Sequence, residues 1–237
     1  METKAWCLPI TWAKTDWLLD KRRVLIQPSQ KLLILSDIHI GYYSSLRSNG
    51  SYLPTYDAQI LQETIQSLVT DYPGFHWIIA GDIKHNHKAE ISQEEYNELK
   101  TLLKLITKEN KLTIIMGNHD KGLKQIIHEL DIVCVITDSY SFNDIIINHK
   151  EDVVQQKSNK NYIVGHYHPI LSTESIKGIF VPVFALREDL LILPAFNYVA
   201  GGFNIKNLLL EQESNKDFIV YAVRKHIYPL GSLKNLK

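Results

Sequence analysis

A chain of 237 residues holds one large domain or two small ones, and 45% hydrophobic with 22% charged residues is an ordinary composition for a globular protein with a sizeable core. Basic and acidic residues balance at 26 each, which excludes a general positive field for holding a polyanion; any nucleic-acid contact must be local. Only Cys7 and Cys134 are present and no Cys-x-x-Cys occurs, so a disulfide framework is excluded and a reducing compartment fits. The first residues, with Trp6, Trp12 and Asp16, lack the apolar stretch of a signal peptide, and no apolar run approaches the ~18 residues of a membrane span. A cytoplasmic protein without membrane contact is expected.

In chain order, residues 22–26 read as a short strand ending before Pro28. Residues 31–36 are a nearly unbroken apolar run, as in a strand buried on both faces. Ile60, Leu61, Ile65, Leu68 and Val69 recur at helical spacing and predict a helix over 56–71. Phe75–Ala80 is a second buried strand. Ser92 and Glu95 form a capping box that opens a helix running to about Thr107. Leu112–Met116 is a third strand, Lys121–Glu129 a short helix and Ile132–Ile136 a fourth strand. This alternation is the α/β pattern. After residue 139 strands dominate, at Asp144–Asn148, Tyr162–Val164, Ile179–Leu186, Leu190–Leu193 and Phe218–Val223. A second sheet packed on the first is expected within a single domain, 1–237, with helices outside. Two basic clusters, Lys21-Arg22-Arg23 and Arg224-Lys225 with Lys234 and Lys237, read most simply as charged strand ends and frayed termini.

The chemistry follows the strands. After 31–36 comes Asp37-Ile38-His39. After Phe75–Ala80 comes Gly81-Asp82-Ile83-Lys84-His85. Leu112–Met116 leads into Gly117-Asn118-His119-Asp120, the strand at 144–148 into His149, and Tyr162–Val164 into Gly165-His166-Tyr167-His168. Five strands thus deliver Asp, Asn or His at their carboxyl ends, the edge where open α/β sheets bind ligands. Imidazole, carboxylate and amide donors without thiolate suit Mn, Fe or Zn. In extended chain, residues i and i+2 point the same way, so Asp-x-His and His-x-His can each serve one site. Six of the ten histidines fall in these segments, and the glycines before Asp82, Asn118 and His166 allow close approach of the backbone. Taken singly, an Asp-x-His or a Gly-Asp-x-x-His is an ordinary turn with a solvated histidine. Gly-Asn-His-Asp and Gly-His-x-His after buried strands have no packing use.

In that order the segments resemble the calcineurin-like metallophosphoesterase superfamily, over about residues 31–170. A softer resemblance covers most of the chain. Leu-Asp-Lys-Arg-Arg-Val-Leu-Ile-Gln-Pro, Ser36–Gly41 with Leu46-Arg47, Gly50 and Pro54, and the late Leu193–Phe196 with Gly201-Gly202 look like the bacterial ligase-associated DNA-damage-response endonucleases. Tyr42 follows Gly41 where that subgroup commonly carries Lys.

The resemblance implies a four-layer α/β/β/α sandwich of two mixed sheets and two divalent metal ions, Mn first, with Zn or Fe as alternatives. It implies that Asp37, His39 and His168 hold one ion, that Asn118, His149 and His166 hold the other, and that Asp82 bridges them. Water between two such cations loses its proton near neutral pH and can attack phosphorus. His119 is then expected to stabilise or protonate the leaving oxygen, with Asp120 orienting its ring. Arg47 and His85 are candidate substrate contacts, each with a plain surface role as the alternative. His87 reads as surface, Tyr167 as packing. The expected activity is phosphodiester hydrolysis, with DNA as partner beside a repair ligase and helicase. Phosphomonoester or cyclic-nucleotide hydrolysis is the alternative, and a non-catalytic scaffold a third reading.

Overall fold

In the computed structural model of the protein, residues 4–48, 56–150, 160–172, 180–198, 200–207 and 217–236 are described. The chain opens with a hairpin, β1 (Cys7–Trp12) and β2 (Thr15–Asp20), then β3 (Val24–Gln27) and β4 (Leu32–Leu35). The helices α1 (Tyr42–Ser48) and α2 (Tyr56–Asp71) lead to β5 (His76–Ala80), and α3 (Gln93–Thr107) leads to β6 (Lys111–Ile115). Next come α4 (Leu123–Glu129) and β7 (Val135–Thr137). The first sheet has the order β1-β2-β3-β4-β5-β6-β7, antiparallel up to β4 and parallel from there on.

The second sheet has β8 (Tyr140–Phe142), β9 (Ile145–Asn148), β10 (Asn161–Val164), β11 (Pro169–Leu171), β12 (Val181–Arg187) and β13 (Leu190–Ile192). It is completed by β14 (Phe203–Asn204), β15 (Ile219–Val223) and β16 (Ile227–Ser232). Its main path is β14-β11-β12-β13-β10-β9-β8, with β15 on β12 and β16 on β15. Two mixed sheets flanked by helices are therefore the architecture, as expected. On the outer face of the second sheet the described cover is slight: Ile205, Phe218 and a 3-10 turn at Leu233–Asn235.

Burial explains why β4 and β5 read as continuous apolar runs. Leu33, Leu35, Trp77 and Ile79 face α2 and α3, while Leu32, Ile34, Ile78 and Ala80 face the second sheet. Both faces are dry, so neither strand alternates. Ser92 caps α3 as expected, its hydroxyl accepting from the Glu95 N–H at 3.1 Å, and Leu99, Leu103 and Ile106 bury the inner stripe.

Three expectations shift. Arg22 and Arg23 lie in the β2–β3 turn, because the Asp20 carboxylate accepts the Arg22 N–H at 2.9 Å and Arg23 turns to φ +65°. The fourth strand starts at Val135 rather than Ile132. The strand expected from Ile179 begins outside the described residues and runs over Val181–Arg187.

Candidate metal centre

The parallel strands β4, β5 and β6 end on one edge, and β9 and β10 end beside it. Main-chain bonds join these ends: the Asp37 N–H donates to the Gly81 carbonyl at 3.1 Å and His39 N–H to Asp82 at 3.0 Å. Gly165 N–H donates to His149 O at 3.1 Å, and the segment after β13 joins the two sheets through Phe196 N–H to Ser36 O at 2.9 Å. Asn197 locks it, its amide donating to Ile38 O at 2.9 Å.

The turns that follow are strained in a consistent way. Asp37, His39, Asp82, His166 and His168 have φ of +56°, +47°, +50°, +64° and +43°, the left-handed region that side chains rarely occupy. Such conformations cost about 1–3 kcal/mol each and persist where the surroundings impose them, typically at functional sites. Here they curl each side chain back over the strand ends.

The structure gathers all seven expected ligands into two neighbouring sets. In one, His168 Nε2 lies 3.2 Å from Asp37 Oδ1 and 3.2 Å from His39 Nε2. In the other, His149 Nε2 lies 3.3 Å from Asp82 Oδ2, 3.0 Å from Asn118 Oδ1 and 3.2 Å from His166 Nδ1. His149 Nδ1, 3.9 Å from Asp37 Oδ1, links the sets. Donors bound side by side to one cation at about 2.1 Å sit roughly 3.0–3.4 Å apart, so these spacings fit ions. Two ring positions are already fixed by carbonyls, His149 Nδ1 on Ala80 O at 3.0 Å and His168 Nδ1 on Gly201 O at 2.8 Å. That leaves the Nε2 atom of each free to ligate.

Protonation agrees. Burial pushes His39 down to about 4 and also lowers His166, so both imidazoles are neutral donors. Burial would raise Asp82, but the His149 and His119 contacts hold it down to about 2. For His149 and His168 burial opposes the charged form, yet the Asp82 and Asp37 carboxylates raise both above the ordinary histidine value. The carboxylates thus draw positive charge toward themselves.

A third group surrounds His119. Its ring lies 4.8 Å from that of His39, with His85 5.7 Å away and roughly parallel. The expected contact with Asp120 is not the one formed. Asp120, fully buried and pushed up to about 6 by that burial, accepts main-chain N–H groups from Gly117 (2.8 Å), Ile83 (3.0 Å) and Lys84 (3.3 Å). It ties the β5 turn to the β6 turn and positions the turn of His119, not its ring. The ring instead sets Nδ1 against the His85 carbonyl, and the His119 N–H donates to Asp82 Oδ1 at 2.9 Å.

Arg47 pairs with Glu94 and lies outside these sets. His85 packs against Tyr42, ring centroids 4.6 Å apart, so Tyr42 touches the site's surround. Tyr167 packs into the core of the second sheet, as expected. Two residues without an expected site role contribute to the surround. His87 is exposed, yet stacks on His119 with centroids 3.5 Å apart. The fully buried Lys84 amine donates to the carbonyls of Asn86 and Lys88 (2.8 Å to Lys88), which shapes the loop carrying both histidines. Its place directly between Asp82 and His85 was the available signal.

The sequence pattern of calcineurin-like phosphoesterases matches residues 30–222, and the chain belongs to that family. No curated protein matches it. Among solved structures it is similar to the nuclease MPE of Pseudomonas putida, at 21% identity and TM-score 0.73, covering 94% of this chain and 100% of that one. A protein of unknown function from Aquifex aeolicus, AQ665, matches at 15% identity and TM-score 0.39, over 60% of this chain and 81% of that one. Among the described residues no helix is long and apolar enough to cross a membrane.

Proposed function

We propose that the protein is a metal-dependent phosphodiesterase acting on nucleic acid, with DNA as the first polymer to test and Mn as the first metal. The observation behind it is the pair of donor sets, on Asp37 and on Asp82, with His119 beside them. Asp82 would be the ligand shared between the two ions, the role the family resemblance implies and one that a carboxylate with two oxygens can fill where an imidazole with one lone pair cannot. When bound, two such ions supply an acidified water and neutralise the phosphate oxygens. The nuclease neighbour supports nucleic acid, and the resemblance of residues 19–54 and 193–202 to repair endonucleases supports DNA, a cytoplasmic setting and work beside a ligase and helicase.

The residues of the chain do the rest. His119 Nδ1 faces a carbonyl, so it carries a proton and donates it there. Its Nε2, 3.7 Å from Asp82 Oδ2, is the nitrogen turned to the site. Protonated, Nε2 can hand a proton to the departing ester oxygen; Nδ1 stays fixed throughout. His85 and His87 flank the ring and hold its plane.

The test uses the Mn-loaded protein with bis-p-nitrophenyl phosphate, p-nitrophenyl phosphate and a DNA oligonucleotide. The diester should be preferred over the monoester. His119→Ala should keep its metal and lose about 10²–10⁴-fold in turnover of DNA, whose alkoxide leaving group needs the proton. The loss on the nitrophenyl diester should be smaller, since nitrophenolate leaves unaided. Preference for the monoester, or full DNA turnover by His119→Ala, would overturn the reading.

A further inference from the structure

We propose that a single polynucleotide strand runs from the metal-site residues along one groove, over Tyr198, to a basic end formed by Lys21, Arg224 and Lys225. This rests on the diesterase reading above and names the face that holds its substrate.

Three clefts meet at Tyr198. One is bounded by His39 and Tyr42. The second, about 420 Å³, runs from His168 and Gly201 past Phe180. The third, about 370 Å³, is walled by Lys21, Arg22, Arg23, Arg224 and Lys225. The second and third share Arg23, Pro182 and Tyr198, so they form one groove that begins at a metal-site histidine. Lys21-Arg22-Arg23 and Arg224-Lys225, far apart in sequence, therefore meet across it, the β2–β3 turn facing the end of β15; Lys234 does not line it and Lys237 lies outside the described residues.

Charge sets the direction. Among the described residues no carboxylate lines either cleft of this groove, whereas the cleft at Tyr42 carries Glu98. Arg22 is committed to Asp20 and Asp71, at 2.6 Å each. Among the described residues no carboxylate pairs with Lys21, Arg23, Arg224 or Lys225. Arg23 donates to the Ala195 and Asn197 carbonyls at 3.1 and 2.9 Å, and its guanidinium lies 4.2 Å from the Tyr198 ring centroid. In a chain of zero formal net charge, this is a local concentration of uncompensated cations beside a phosphoesterase site.

The groove also offers ring faces. Phe180 is 62% exposed and Tyr198 48%, two of the few large apolar side chains left open to water, and both line it. Aromatic faces between a basic wall and a hydrolytic site suit unpaired bases, because a duplex buries the faces of its own. A single strand matches both features: phosphates on the cations, bases on the rings.

Binding of a fluorescent oligo-thymidylate of about twenty nucleotides, long enough to span a groove of this kind, is measured by anisotropy in chelator, so that no turnover occurs. The variant Lys21→Ala/Arg224→Ala/Lys225→Ala should bind more weakly, and its slope of log affinity against log salt should fall by about 2, near 0.7 per lost phosphate contact. Tyr198→Ala should weaken binding about tenfold with the slope unchanged. Lys100→Ala/Lys104→Ala/Lys108→Ala, exposed cations of α3 and of its C-cap, serves as the control and should bind like the parent. Circular dichroism confirms the fold of each. Binding by the first triple equal to the control overturns the proposal. So does displacement of the strand by poly-glutamate or by a duplex as readily as by unlabelled strand. A parent protein that binds through these residues yet hydrolyses no diester would sink the diesterase reading and leave the groove. Diester hydrolysis with strand binding indifferent to the triple would sink the groove alone.

Discussion

Two clusters of buried charge lie on the first sheet, and they are built differently. At the end of β2, Asp20 accepts Arg22 Nε at 2.9 Å, Arg22 Nη2 at 2.6 Å and the Tyr72 hydroxyl at 3.1 Å. Arg22 reaches on to Asp71, which also takes Lys4. Two carboxylates meet two cations, and the backbone there serves the turn. At the ends of β4 and β5, Asp37 and Asp82 are as deeply buried, but their neighbours are imidazoles, of which His39 and His166 are held neutral. Nitrogens face nitrogens at 3.2 Å, and five backbones are held at positive φ. The first cluster is complete within the chain. The second presents a donor set that cations from outside would complete. A buried charge is therefore no mark of function; buried carboxylates set among crowded imidazoles, two of them held neutral, are.

The largest expected effect separates the two. Asp82→Ala should lower metal-dependent diester turnover by at least about a thousandfold and remove bound metal, while changing the urea midpoint of the metal-free protein little. Asp20→Ala should do the reverse. It leaves Arg22 half-paired in a buried position and should cost roughly 3 kcal/mol of stability, the lower end for a broken buried pair because Asp71 remains. Its metal content, read by elemental analysis, should not change. If Asp20→Ala released metal and Asp82→Ala unfolded the chain, the distinction between the clusters would fail.

A smaller effect probes how tightly the second cluster is held. A Cβ on Gly117 would lie 2.1 Å from Asp82 Oδ1 and 2.3 Å from its backbone nitrogen. Gly117→Ala must push the Asp82 turn aside, and metal affinity should fall about 10–100-fold, as when a ligand's support is lost. Isothermal titration with Mn reads it directly, and unchanged affinity would mean that the turn yields freely.

What the sequence made legible follows the same physics. Strands β4, β5 and β6 were readable because both of their faces are dry. The candidate ligands were readable as a group because they stand at strand ends with spacing that no packing need explains. The β1–β2 hairpin was not, because its turn places Ala13 and Lys14 at φ +49° and +56°, where Asn-Gly would have announced it. Arg22 and Arg23 were apolar-run neighbours by pattern, but Asp20 captures them into the turn. Strands β11 and β14, of three and two residues, are too short for any periodicity. His87 and the meeting of the two basic clusters depend on contacts between distant segments, which spacing along the chain does not encode. For Asp120 the residue was legible and its partner was not.

The smallest effect tests the closed cluster from within. Cys7 lies on β1 with its sulfur 3.5 Å from Asp20 Oδ2 and 3.5 Å from the Tyr72 hydroxyl. Burial, and then the negative charge of Asp20, push its thiol up to about 12. A thiol reacts as thiolate, so at pH 8 only about one molecule in ten thousand is reactive, against roughly one in four for a free thiol. Because the pKa is raised, reactivity should stay low through neutral pH and grow only as the solution approaches that value. Iodoacetamide at pH 8, followed by mass spectrometry of the folded protein, should leave Cys7 unmodified. In Asp20→Ala the carboxylate term is gone and the burial remains, so labelling should rise but stay slower than in urea. Rapid labelling of Cys7 in the folded parent would show that the cluster opens, and the contrast with the metal centre would then lie in dynamics rather than in charge balance.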